Sequence, residues 1–236
     1  MNVPHSIGLR LILLAISLSA LACAPSKPAL ESGPDAEITH DGLVRVDRAR
    51  RFDRVWLRPG ADLSGYQKLV LVNAGVHYRR PGKEPRELAL PNERQLEFMR
   101  NGLRDAFSDE IAKRQGWEIV ESPGPDALVL RGALIDLYVT QDRELGGRDR
   151  YYTTSAGEAT LVIELFDSES GEILLRIADR QAATKDTSSW RNDEITNRAA
   201  AKRLFRLWAR RLADGLDYAR EVTPLTLPPS TDDSED

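Results

Sequence analysis

Two alternating segments joined by a polar turn constrain the fold of this chain more than any other feature. From about Thr154 to Phe166, Leu161, Ile163 and Leu165 fall on one face, and Glu158, Thr160 and Glu164 on the other. Successive side chains of a strand point to opposite sides, so this spacing predicts a strand with one apolar and one charged surface. Asp167-Ser168-Glu169-Ser170-Gly171 is turn-forming by composition, and Ile173, Leu175 and Ile177 resume the apolar face beyond it. Such a hairpin is stable only with another layer laid over its apolar side.

Two helical stripes offer that layer. Asn92 can cap a helix carrying Leu96, Met99, Leu103, Phe107 and Ile111 at steps of three and four, with Gly116 expected at its end. A second helix, about Glu194 to Arg220, presents Ala201, Leu204, Phe205, Trp208, Leu212 and Leu216, with Arg198, Lys202, Arg206 and Arg210 opposite. Lys68 to Val76, Trp117 to Glu121 and Ala127 to about Val139 read as further strands, the first two a parallel pair joined through the first helix. The expected fold class is α+β: a two-layer sandwich whose mostly antiparallel sheet has about five strands, with two main helices on one face.

The amino terminus has a different composition. Arg10 is the only formal charge before Cys23, and Leu11 to Ala22 is apolar or small throughout. As a helix those residues reach about 18 Å, short of the roughly 30 Å hydrocarbon core. The pattern is that of an export signal. Ser19, Ala20, Leu21 and Ala22 before Cys23 resemble the lipobox of bacterial lipoproteins, which implies lipid on the Cys23 thiol and cleavage before it. Ala24, where an Asp would resemble an inner-membrane retention signal, favours the outer membrane, with the domain in the periplasm.

The expected organisation is a signal peptide over 1–22, a lipidated flexible tether over 23–42 and one domain over 43–221. An acidic, Pro-rich disordered tail is expected over 222–236. With 33 Lys plus Arg against 37 Asp plus Glu, the net charge of −4 gives no sign of a nucleic-acid partner. A single Cys excludes an internal disulfide and a Cys-based zinc site.

Catalytic signatures are sparse, and no cofactor or metal is expected. His40 and His77 are isolated, no Gly-x-Ser-x-Gly elbow occurs, and Gly146-Gly147 lacks the Lys-Ser or Lys-Thr of a phosphate loop. Asp136, Glu158, Glu164 and Asp179 are the carboxylates from which a glycan hydrolase would draw its pair. Arg45, Arg48, Arg50, Arg51, Arg54 and Arg58 oppose only Asp47 and Asp53, and immediately follow the tether. They form the expected surface toward anionic lipid or an envelope protein. Trp56, Tyr78, Tyr151, Tyr152 and Trp190 are aromatics expected near such a surface.

The segments LRPGADLSGYQKLVL, ESPGPDALVLRGALIDL and GEATLVIELFDSESGEILLRIADRQ, with a closing helix holding LWARRLADGL, resemble the bacterial lipoprotein family known as domain of unknown function 3313. The likeness covers about residues 41 to 218. It rests on turns and strand cores, and implies a fold without catalytic residues. The expected function is a membrane-anchored envelope lipoprotein acting as a binding or scaffolding module without catalytic activity. The alternative is the carboxylate hydrolase.

Overall fold

The computed structural model describes residues 27–49, 51–77, 88–89, 91–140, 155–184 and 194–227. Their order is β1 (Ala29–Leu30), β2 (Val44–Asp47), β3 (Arg54–Leu57), β4 (Lys68–Val76), β5 (Leu88–Ala89), α1 (Glu93–Ile111), β6 (Glu118–Val120), β7 (Ala127–Thr140), β8 (Ser155–Asp167), β9 (Ile173–Thr184) and α2 (Glu194–Val222). The fold is mixed α+β, with two helices and one large open sheet.

The sheet has nine strands in the order β1-β2-β3-β9-β8-β7-β4-β6, with β5 pairing the far end of β7, against the five expected. The additional strands are short. Two to four residues carry too little alternation to be read as strands; β3 and β5 pair with the long β9 and β7, and β2 and then β1 add outward from β3. The β8–β9 hairpin is as expected: Ile163 lies opposite Ile177 and Leu165 opposite Leu175. At its turn the Asp167 carboxylate accepts from the Ser170 backbone N–H at 2.7 Å, and Gly171 takes the left-handed φ of 70° that the reversal needs. Strands β4 and β6 are parallel, also as expected, and β4 pairs in parallel with β7 as well.

Helix α1 begins with a capping box. The Gln95 N–H donates to the Asn92 side chain at 2.9 Å, and the Asn92 N–H donates to the Gln95 side chain at 2.8 Å. It ends at Ile111 rather than at Gly116, which serves a separate turn at φ 81° and accepts from Arg220 through its carbonyl. The two helices cross where Gly102 leaves room: a Cβ there would stand 3.1 Å from the Phe205 ring. The apolar residues of both helices join Leu128, Leu130, Leu134, Leu161, Ile163 and Leu165 in one buried cluster. The Phe107 ring faces Gly132, which pairs with Ile163, and the Trp208 indole donates to Asp179, which pairs with Leu161.

Two boundaries are corrected. The tether expected over 23–42 is shorter, because Leu30 is buried, Leu30 pairs with Val46, and Ile38 bridges to Val44. Asp41 is held to the sheet by both terminal nitrogens of Arg176, at 3.1 and 2.6 Å. Gly33, Pro34 and Gly42 of that segment lie in bends and turns beside these pairings rather than in a free coil. The tail expected from 222 likewise starts packed: Val222 is helical, the Leu63 N–H donates to the Thr223 hydroxyl at 2.8 Å, and the Gly60 N–H donates to the Leu225 carbonyl at 2.8 Å. The signal peptide, Cys23 and residues 228–236 lie outside the described residues.

Candidate binding cleft

The arginine segment is not one surface but the charged side of two strands. Antiparallel neighbours share a face, so the pairing of Arg45 with Trp56, and of Trp56 with Arg176, puts all three on one side. Arg45 reaches Glu31 at 3.3 Å and Glu37 at 2.8 Å, and Arg54 reaches Glu37 at 3.4 Å. The hydrogen bond from Arg45 is the main cause that holds the Glu37 carboxyl below its ordinary range. Arg58 donates to the Ile173 carbonyl at 2.7 Å and the Asp41 carbonyl at 3.1 Å, and pairs with Glu172 at 3.1 Å. These three arginines fasten the amino-terminal segment to the sheet.

Trp56, expected as a surface aromatic, is buried with Leu43 and Ile173 in a small second core, and its indole N–H donates to Glu37 at 3.2 Å. An aromatic flanked by arginines resembles a surface until cross-strand partners cover it. Tyr78, Tyr151, Tyr152, Trp190 and Arg50 lie outside the described residues.

Arg48 and Arg51 are placed differently. Both line a cleft of about 360 Å³ between the carboxy-terminal half of α2 and the β2–β3 side of the sheet. Its sheet wall includes Val46, Val55, Leu57 and Ile177, and its helix wall Leu212, Gly215, Ala219 and Val222. The helix stripe explains the space. Trp208, Leu212 and Leu216 fill the core, whereas Gly215 and Ala219 are small at the positions that face the cleft. Arg51 lies over the Tyr218 ring, its guanidinium carbon 5.6 Å from the centroid, and Arg48 pairs with exposed Asp47 at 3.1 Å. Arg48 also holds φ at 62°, a left-handed conformation that costs a side-chain-bearing residue energy. No Asp, Glu or His is among the described lining residues. The signal missed in the sequence was this pair of small residues inside an otherwise large apolar stripe.

The carboxylates do not converge. Asp179 is 1% exposed on the apolar side, where it accepts from the Trp208 indole at 2.8 Å, Arg211 at 3.2 Å and the Asp53 N–H at 3.1 Å. Glu164 pairs with Arg176 across the strands and so faces the other way. It accepts from Arg131 Nε at 2.9 Å and Arg176 Nε at 2.9 Å. Burial raises the Glu164 pKa, but the hydrogen bonds and charges of these arginines outweigh it and leave the group below its ordinary value. Glu158 bonds Arg180 at 2.9 Å and stands six residues along the strand from Glu164, about 20 Å at ordinary strand rise. A glycosidase pair spans at most roughly 9.5 Å. Asp136 sits at φ 50° in a bulge of β7. Among the described residues no group of three His, Cys, Asp or Glu side chains is arranged to hold a metal.

Comparison with solved structures finds distant likenesses. The PelC dodecamer from Paraburkholderia phytofirmans is 11% identical, with 66% of this chain and 96% of that chain covered and a TM-score of 0.34. A minor lipoprotein from Acinetobacter baumannii is 13% identical, with 64% and 94% covered and a TM-score of 0.28. No curated protein matches the sequence. One family model, described as "Protein of unknown function (DUF3313)", matches residues 37–212, from the segment pinned by Glu37 to the Leu212 wall of the cleft. This span takes in most of the described fold, and the chain belongs to that family.

Proposed function

We propose that the chain is a bacterial envelope lipoprotein, anchored by acyl groups on Cys23 to the periplasmic side of the outer membrane, and that its domain is a non-catalytic binding module. The observation that carries the binding reading is the cleft, whose apolar walls are joined by two cationic side chains and, among the described lining residues, by no Asp, Glu or His. Of the candidate carboxylates of the rival hydrolase, Glu158, Glu164 and Asp179 are engaged by arginines or an indole instead.

A physical cause for the cleft follows if both helices lie on one face of the sheet. Eight strands in sequence span about 34 Å at 4.8 Å spacing. Two helices side by side cover roughly 20 Å. Helix cover then thins toward the β2–β3 end, where only the carboxy-terminal half of α2 reaches over the sheet, and the cleft lies at that end. This is also the amino-terminal end, since Pro28 lines the cleft five residues after Cys23. Among the described residues no helix is long and apolar enough to cross a membrane. Attachment is assigned to the lipid from the small and apolar residues that precede Cys23.

Metabolic labelling with an alkyne palmitate analogue tests the anchor. The wild-type chain is expected to carry label and fractionate with outer membranes, and Cys23→Ser to lose the label. Label retained by Cys23→Ser contradicts the assignment.

A further inference from the structure

We infer that the cleft beneath the end of α2 binds the single acyl chain of a fatty acid, with its carboxylate met by Arg51 and Arg48. The inference rests on the cleft being the binding site and adds the chemical class of its ligand. The volume of about 360 Å³ falls at the small end of the roughly 300–1,000 Å³ typical of ligand pockets, room of the order of one acyl chain rather than the two of a phospholipid.

Below the mouth the lining is mostly hydrocarbon: Val55, Gly215, Ala219, Val222 and Leu225 keep exposed surface over a floor of buried Leu57, Ile177, Leu212 and Leu216. An amphiphile needs its head satisfied where those walls end. The only charged lining residues described are Arg48 and Arg51. Arg51 has no carboxylate partner among the described residues, and its contact is the face of Tyr218. The Arg48 partner, Asp47, is half exposed, so water competes for that pair and an incoming carboxylate can displace or share it. Guanidinium is the side chain best matched to a carboxylate, through two parallel N–H···O bonds.

Two other occupants are less well matched. A neutral acyl chain, including those expected on Cys23, leaves Arg51 without an anion and Arg48 with only its exposed pair to Asp47. Five extended residues reach about 17 Å, so the chain's own lipid can approach the mouth, and the test must separate it. A peptide would bring backbone polar groups into walls that offer them no partner.

The lipidated full chain in phosphatidylcholine vesicles is photolabelled with diazirine palmitate, with the matching diazirine alcohol and with phosphatidylcholine carrying the same diazirine chain. Peptides are then mapped by mass spectrometry. The acid is expected to label residues 212–225 and 46–57 at least tenfold above the alcohol and the phospholipid. Ala219→Trp, which fills the cleft, is expected to remove that label. Arg51→Gln is expected to weaken acid labelling about tenfold while leaving alcohol labelling unchanged. Thermal unfolding of both variants confirms that they fold. Equal labelling by acid and alcohol, insensitive to Arg51→Gln, overturns the head-group assignment and leaves the cleft as a binding site. Stronger labelling by the phospholipid overturns the single-chain class. No label in the cleft by any probe overturns the cleft reading itself. Label seen only in a chain from residue 23 carrying Cys23→Ser, and absent from the lipidated protein, overturns the inference in favour of the chain's own acyl group.

Discussion

Trp208→Ala is expected to destabilise the domain by about 3–5 kcal/mol, among the largest losses from any single truncation. The indole is fully buried in the main core, so its removal leaves a cavity lined by side chains that cannot collapse into it. It also withdraws a donor from Asp179, a carboxylate 1% exposed whose other partners are Arg211 and the Asp53 N–H. A buried charge left short of partners costs several kcal/mol more than one never placed there. Trp208→Phe separates the two contributions, because it keeps most of the volume and loses the donor, and it is expected to cost about 1–3 kcal/mol. Urea unfolding measures both. A Trp208→Ala loss under 1 kcal/mol contradicts the packing described.

Arg176→Met is expected to cost about 2 kcal/mol at neutral pH and to alter the acid limb of stability. The guanidinium joins Glu164 of β8 to Asp41 of the amino-terminal segment, so its loss removes one tie of that segment as well as breaking the pairs. Its hydrogen bonds are the main cause of the Asp41 pKa falling from 3.8 to about 2. A carboxyl depressed in the folded state stabilises above its unfolded value, and that contribution is lost as pH falls through the folded one. Wild type therefore loses stability on acidification from about pH 4 to pH 2, and the variant, whose Asp41 keeps only the lesser depression from Thr39 and its own backbone, loses less over the same window. The gap between the two proteins narrows as pH drops. A constant gap from pH 5 to pH 2 in a urea-unfolding series contradicts the linkage.

Strong local periodicity made the long elements legible. The β8–β9 hairpin, the α1 stripe with its Asn92 cap and the α2 stripe have registers fixed by alternation or by three- and four-residue steps, and all are present. What was missed depends on distant partners. Val44-Arg45-Val46 and Arg54-Val55-Trp56-Leu57 stand out as a run of charge because their arginines are the outward positions of short strands. The acids that neutralise them, Glu31 and Glu37, lie in a segment whose Pro and Gly content reads as tether. No local pattern announces that Glu37 will accept from Arg45, Arg54 and Trp56 together. The cleft is hidden for the same reason, because Gly215 and Ala219 look like ordinary helix residues until the β2–β3 wall stands opposite.

Hydrogen–deuterium exchange of the lipidated full chain, with and without palmitate, tests most directly whether this cleft is the binding site. The account predicts slower exchange confined to the end of α2 through Leu225 and to residues 46–57, with the amides of β4 and β6 at the far edge of the sheet unchanged. Slowing elsewhere, with residues 46–57 and 212–225 unaffected, contradicts it.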